Sequence, residues 1–139
     1  MSLRYLLDTN IVSWPYRDPS HPIVERLNGA LEECAISAQV WHELRYGVFR
    51  RPRGRKRDSL EAYMRDVVRA SYPTLPYDQP AAEWHAAERA RLVARGVNTQ
   101  FVDGQIAAVA HVNGLIVVSH DARGFAHFND IAVEDWING

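Results

Sequence analysis

YLLDTN, residues 5–10, is the stretch on which the fold turns. Leu3, Tyr5, Leu6 and Leu7 read as a buried hydrophobic strand that stops abruptly at a carboxylate, Asp8. Thr9 and Asn10 suit a turn or a helix cap, and Ile11 to Trp14 is apolar again. In an open α/β sheet, ligands bind just beyond the carboxyl ends of the strands. Asp8 therefore stands where such folds place their chemistry.

A second strand of the same design lies far along the chain. Leu115-Ile116-Val117-Val118 is a continuous apolar run, the mark of a strand covered on both faces, and it runs into Ser119-His120-Asp121. Between the two, Cys34-Ala35-Ile36 reads as a short buried strand. Ser37 offers an N-cap hydroxyl to a helix reaching about Phe49, whose stripe is Val40, Trp41, Leu44 and Val48. Glu43 lies at the margin of that stripe, about 60° from Val40. Further helices are expected from about Pro22 to Glu33, Arg57 to Ala70 and Pro80 to Arg95. Another carries Ile106, Val109, Ala110 and Asn113 and ends at Gly114.

Pro15, Asp18, Pro19 and Pro22 predict a loop after the first strand. Pro73 and Pro76 keep Tyr72–Asp78 from being a central strand, leaving a connection with a short extended piece. Ile131–Val133 reads as a last strand and Glu134–Ile137 as a terminal helical turn. Strands alternating with helices imply an α/β fold: one domain over residues 1–139, with a mostly parallel central sheet flanked by helices on both faces.

Composition agrees. A chain of 139 residues, 47% hydrophobic and 24% charged, fits one globular domain with a substantial core. No apolar run approaches the roughly 20 residues of a membrane span, and Asp8 breaks the first run too early for a signal peptide. Cys34 is the sole cysteine, which excludes an intrachain disulfide and a cysteine-rich metal site. The expectation is a soluble, cytoplasmic protein. The net charge of −1 hides a block of Arg45, Arg50, Arg51, Arg53, Arg55, Lys56 and Arg57, 7 of the 16 basic residues with no acidic residue between them. Such a block either attracts a polyanion or forms a solvated loop.

Four carboxylates stand out. Taken singly, Asp8 and Asp121 read as caps or turns, Glu43 as a solvent-facing helix residue, and Asp103 as a first-turn residue favoured by the helix dipole. Taken together they form an acidic set with no basic partner in any local motif. Clustered carboxylates raise one another's pKa, so the set makes sense when a hard cation compensates it. Oxygen-only ligands suit Mg²⁺ or Mn²⁺, and that combination serves phosphodiester hydrolysis. Other chemistries lack their signatures: no GxGxxG, P-loop or GxSxG occurs. His21, His42, His85, His111, His120 and His127 show no zinc spacing. His42 and His111 read as ordinary surface or core residues, as does His120, for which a place beside Asp121 leaves substrate contact as the alternative. Cys34 reads as a small hydrophobe.

LLDTN, HELRYG, VDGQIAAVA and VSHDARGF occur in the order found in PIN-domain toxins of the VapC/FitB kind, and the chain resembles that family over nearly its whole length. The resemblance implies a Mg²⁺- or Mn²⁺-dependent endoribonuclease, the toxin half of a toxin–antitoxin pair, which hydrolyses RNA through a metal-activated water. It places catalytic and metal-binding roles on Asp8, Glu43, Asp103 and Asp121. Of these, Asp121 stands where many members carry Asn. Asn10 resembles a residue that supports the first carboxylate, and Ser119 stands where the family often has Thr. Arg45, Arg50, Arg51, Arg53, Arg55, Lys56 and Arg57 are then candidates for holding RNA or a VapB/FitA-like antitoxin. The family also implies a homodimer, with promoter DNA bound only through the antitoxin complex.

Two other readings compete. One is a PIN-like subunit of an antitoxin-containing DNA-binding complex with little nuclease activity of its own. The other is a metal-dependent phosphatase, which Asp8-Thr9-Asn10 disfavours because it lacks the second Asp of a DxD motif.

Overall fold

The computed structural model describes residues 2–138. Five parallel strands form one sheet: β1 (Tyr5–Leu7), β2 (Cys34–Ser37), β3 (Thr74–Leu75), β4 (Ile116–Val118) and β5 (Val133–Glu134). Their spatial order is β3-β2-β1-β4-β5. Neighbouring strand side chains point to opposite faces, yet Tyr5, Leu6 and Leu7 are all buried, so helices cover both sides of the sheet at its centre. The chain walks outward from β1 to β3, then crosses back to β4 on the far side of β1. The carboxyl ends of β1 and β4 thus meet at a topological switch point.

Six α-helices pack around the sheet among the described residues: α1 (Thr9–Arg17), α2 (Ile23–Gly29), α3 (Ala38–Phe49), α4 (Arg55–Tyr63), α5 (Gln79–Ala94) and α6 (Phe101–Asn113). None is long and apolar enough to cross a membrane. Ser37 caps α3 as its sequence implies, accepting from the Val40 N–H at 3.2 Å. Asp78 does the same for α5 through the Ala81 N–H. Gly114 closes α6 at φ 66°, a left-handed position that glycine takes without a Cβ penalty. Cys34 is fully buried, and burial together with the Glu33 charge pushes its thiol up to about 12. It is a packing residue.

The structure departs from the sequence reading in several places. The expected loop after β1 is helical, because α1 runs through Pro15. Buried Ile11 and Val12 anchor that helix and Asp8 caps it, which together offset the one backbone donor that proline removes. The helix expected to reach Glu33 stops at Gly29 and gives way to a tight 3₁₀ turn at Leu31–Glu33. The helix expected over Arg57–Ala70 starts at Arg55 and widens into a π-helical stretch at Met64–Arg69. The last strand is displaced to Val133–Glu134 because β4 sets its register: the Val117 N–H donates to Ala132 O and the Ser119 N–H to Glu134 O. No helical turn follows among the described residues. Asp135 Oδ1 instead accepts from the Ile137 and Asn138 N–H groups at 2.8 and 3.2 Å, a side-chain turn that competes with helix. β3 is an edge strand, as its flanking prolines require.

Candidate active site

Each of the four carboxylates reaches the switch point from a different element. Asp8 terminates β1, where its N–H donates to Val118 O and its side chain caps α1 by accepting from the Thr9 N–H at 2.8 Å. Its other oxygen accepts from the Ser119 hydroxyl at 2.9 Å. Ser119, 1% exposed, also takes the Asp121 N–H at 3.1 Å, so one buried hydroxyl ties the ends of β1 and β4 together. Glu43 arrives on α3 and Asp103 in the first turn of α6. Asp8, Thr9, Asn10, Glu43, Asp103, Asp121 and Phe125 line one cavity of about 210 Å³.

The electrostatics report the convergence. Asp103 is raised to about 6, by burial first and then by the charges of Asp8, Asp121 and Glu43. Burial also raises Asp8; the donors at Thr9 and Ser119 oppose the rise and Asp121 adds to it. Glu43 is raised by partial burial and by Asp8, while the nearby Thr9 hydroxyl favours its charged form. That hydroxyl is itself buried without a hydrogen bond of normal geometry.

Gly124 makes the enclosure possible. A Cβ there would lie 2.9 Å from Asp103 Oδ2, close enough to push that carboxylate aside, and in ordinary contact with Asp121 Oδ2 at 3.7 Å. The donor set is oxygen-only, as Mg²⁺ or Mn²⁺ prefers. Among the described residues no three His, Cys, Asp or Glu side chains close around a single point. By its chemistry an oxygen-only set of this kind suits a hydrated divalent cation, which Asp8, Glu43, Asp103 and Asp121 would hold from the walls of the shared cavity.

The remaining sequence candidates are distributed differently. Asn10 lines the cavity, but the hydrogen bonds to the Asp8 carboxylate come from Thr9 and Ser119. His120 turns toward the C-terminal segment, its Nδ1 3.4 Å from Asp135 Oδ2 and its ring edge-on to Trp14. The basic block does not act as one unit. Arg45 is engaged by Glu61, with Nη2 3.2 Å from Oε1, because α4 folds an acid back onto a stretch that is purely basic in sequence. Arg57 donates to Arg51 O at 3.4 Å and lies over Phe49. Arg53, Arg55 and Lys56 are exposed around the start of α4. Arg50 and Arg51 face a cavity, together with Arg17, Tyr16 and Ser13 from α1.

Sequence reasoning passes over Thr9 and Gly124 as site residues, and takes Phe125 only as packing. The glycine within VSHDARGF is the available signal for Gly124.

A match to the PIN domain spans residues 5–131. This chain belongs to the PIN domain family. The cavity of this PIN domain therefore sits within the matched region, with all four carboxylates inside it. Toxin FitB of Neisseria gonorrhoeae is 33% identical over 124 residues, covering 86% of this chain and 89% of that protein. A tRNA(fMet)-specific endonuclease VapC of Salmonella typhimurium is 30% identical over 135 residues, covering 96% and 98%. The crystal structure of DNA-bound VapBC from Salmonella typhimurium matches with a TM-score of 0.86 at 29% identity, over 96% of this chain and 98% of that one.

Proposed function

We propose that this PIN domain is a divalent-metal-dependent endoribonuclease, the toxin of a toxin–antitoxin pair whose partner is an antitoxin of the VapB/FitA kind. One observation carries the reading: four carboxylates from four elements share one cavity, with Asp103 held at about 6 by burial and by the other three. The names of the relatives, FitB toxin and VapC endonuclease, support the same class of activity. A bound Mg²⁺ or Mn²⁺ supplies water activation and charge neutralisation for phosphodiester hydrolysis.

The chain's own residues do the rest. Ser119 and the Thr9 N–H orient the Asp8 carboxylate, and Glu43 and Asp103 complete the anionic wall that would hold the cation. Gly124 keeps the space between Asp103 and Asp121 open. Hydrolysis by an activated water requires no covalent protein intermediate.

A binding subunit with little nuclease activity explains this arrangement less well. A scaffold gains nothing from mutually repelling carboxylates at a strand switch point.

The deciding experiment is cleavage of a structured RNA pool by purified, antitoxin-free protein in Mg²⁺, in Mn²⁺ and in EDTA, beside Asp8→Asn. Cleavage is expected with either metal and is lost in EDTA and in the variant. Folded protein that leaves every RNA intact under both metals would remove the enzyme reading and favour the binding subunit.

A further inference from the structure

Glu88 of α5 is a buried acid outside the carboxylate cavity, 7% exposed. Arg91, one turn further on, grips it twice: Nε donates to Oε2 and Nη2 to Oε1, both at 2.9 Å. Each partner then makes a further bond to main chain far away in sequence. Glu88 Oε1 accepts from the Asn129 N–H at 2.7 Å, and Arg91 Nη2 donates to His127 O at 2.8 Å. Arg91 holds the Glu88 carboxyl below its ordinary value against the effect of burial, and the Asn129 N–H acts in the same direction. A buried ion pair is a weak source of stability, since apolar residues of similar volume often serve as well. Apolar residues could not supply the two main-chain bonds.

Those bonds land on the segment that follows Asp121. It carries the 3₁₀ turn Ala122–Phe125, places Gly124 against Asp103 and puts Phe125 in the cavity wall. Its internal hydrogen bonds are long. The Gly124 N–H lies 3.2 Å from Asp121 O, the Ala126 N–H 3.4 Å from Arg123 O and the Phe128 N–H 3.3 Å from Phe125 O. The bonds from α5 are shorter and charge-assisted, which is the stronger class. The segment leaves through Asp130 at φ 58°, a left-handed turn that disfavours a residue with a Cβ and needs support from outside. His85 precedes Glu88 by three residues and so shares its face of α5. Its ring packs against Gly104, the neighbour of Asp103. One helix face thus bears on both sides of the carboxylate cavity.

We propose that Glu88 and Arg91 are positioning residues of the carboxylate site, whose ion pair, bonded to the main chain at His127 and Asn129, holds the Asp121–Asn129 segment against Asp103. The inference rests on the ribonuclease reading and deepens it from the metal-binding carboxylates to what keeps them in place. Neither residue touches metal or substrate in this scheme. Both act through Asp121, Gly124 and Phe125.

The test puts trypsin briefly on folded, antitoxin-free protein in EDTA. It compares cleavage after Arg123, exposed in the segment, with cleavage after Arg53, exposed between α3 and α4. Mass spectrometry reads the two sites, and electron paramagnetic resonance of free Mn²⁺ reads metal affinity. Glu88→Ala is expected to raise the ratio of Arg123 to Arg53 cleavage at least about tenfold, because losing charge-assisted bonds opens the segment locally. Mn²⁺ affinity should fall by about tenfold or more, as it does when groups that orient metal ligands are lost. Glu88→Gln keeps an oxygen for the Asn129 N–H and should recover much of both. Leu27→Ala, a core truncation on α2, should lower the melting temperature yet leave the ratio and the Mn²⁺ affinity at parental values. Arg91→Ala, at a side chain 25% exposed, supplies the comparison if Glu88→Ala does not fold. A parental ratio and parental Mn²⁺ affinity in the Glu88 and Arg91 variants would overturn the positioning role, as would changes no larger than those of Leu27→Ala. Parent protein that still binds Mn²⁺ and cleaves RNA would then leave the ribonuclease reading standing. Parent protein that does neither would remove that reading and the positioning role with it.

Discussion

Asp103 is where the site's electrostatics are most exposed to measurement. Its carboxyl stands at about 6, against an ordinary value of 3.8, from burial and from three neighbouring charges. A folded pKa above the unfolded one means that the native state holds the extra proton. The stabilisation linked to that proton is complete below about 3.8 and disappears as pH rises through about 6. In metal-free protein, stability should therefore fall between about pH 4 and about pH 7 more steeply than in Asp103→Asn. After discounting for the partly exposed setting, the difference is expected to be about 1 kcal/mol. Urea melts of both proteins in EDTA at the two pH values would read it. Parallel pH dependences would mean that the carboxylates do not feel one another as their placement requires. At the same residue scale, Asp8 satisfies two readings that the sequence sets against each other: it caps α1 and it faces the cavity. A cap oxygen uses one side of the carboxylate, and Ser119 holds the other.

At the scale of elements, α5 and α6 meet closely because Gly104 lacks a side chain. The buried His85 ring lies where a Gly104 Cβ would stand, with Nε2 nearest, and Tyr77 holds the other ring nitrogen at 2.8 Å. Gly104 directly follows Asp103, so the spacing of the two helices also sets that carboxylate. Gly104→Ala should lower stability by about 1–3 kcal/mol through overpacking, and RNA cleavage should fall with it. His85→Ala in the same chain should recover part of both. Urea unfolding would check the first effect and initial rates the second; a Gly104→Ala protein as stable as the parent would refute the close packing. This contact is not legible in the sequence, where Gly104 follows an acid and His85 is one of six scattered histidines. Elements with strong local signals are legible: Ser37 before an apolar stripe, Gly114 after one, and the β-branched run of β4. The misread ones are decided by partners distant in sequence. Packing of Ile11 and Val12 overrides Pro15, and pairing with β4 moves the last strand.

For the whole molecule, the site is a product of topology. Asp8, Glu43, Asp103 and Asp121 are 113 residues apart from first to last, and they meet because β1 and β4 are neighbours at the sheet's switch point. The sequence shows which acids end strands or open helices, but not that Glu61 takes Arg45 out of the basic block, since that pairing depends on how α4 folds against α3. Folding therefore gathers like charges that the unfolded chain keeps apart, and the metal-free protein bears the repulsion. A cation that binds only the assembled cluster should return more than that loss. At about a hundred times its dissociation constant it contributes about 2.7 kcal/mol, or about 10 °C in melting temperature for a domain of this size. Mn²⁺ or Mg²⁺ should thus raise the melting temperature of the parent protein. Asp8→Asn should melt higher than the parent in EDTA and respond little to either ion, since it relieves repulsion and removes a ligand in one step. Thermal melts of both proteins with and without each metal separate these effects. A parent that ignores both ions, and a variant that melts with it in EDTA, would show that the four carboxylates neither repel one another nor share a cation.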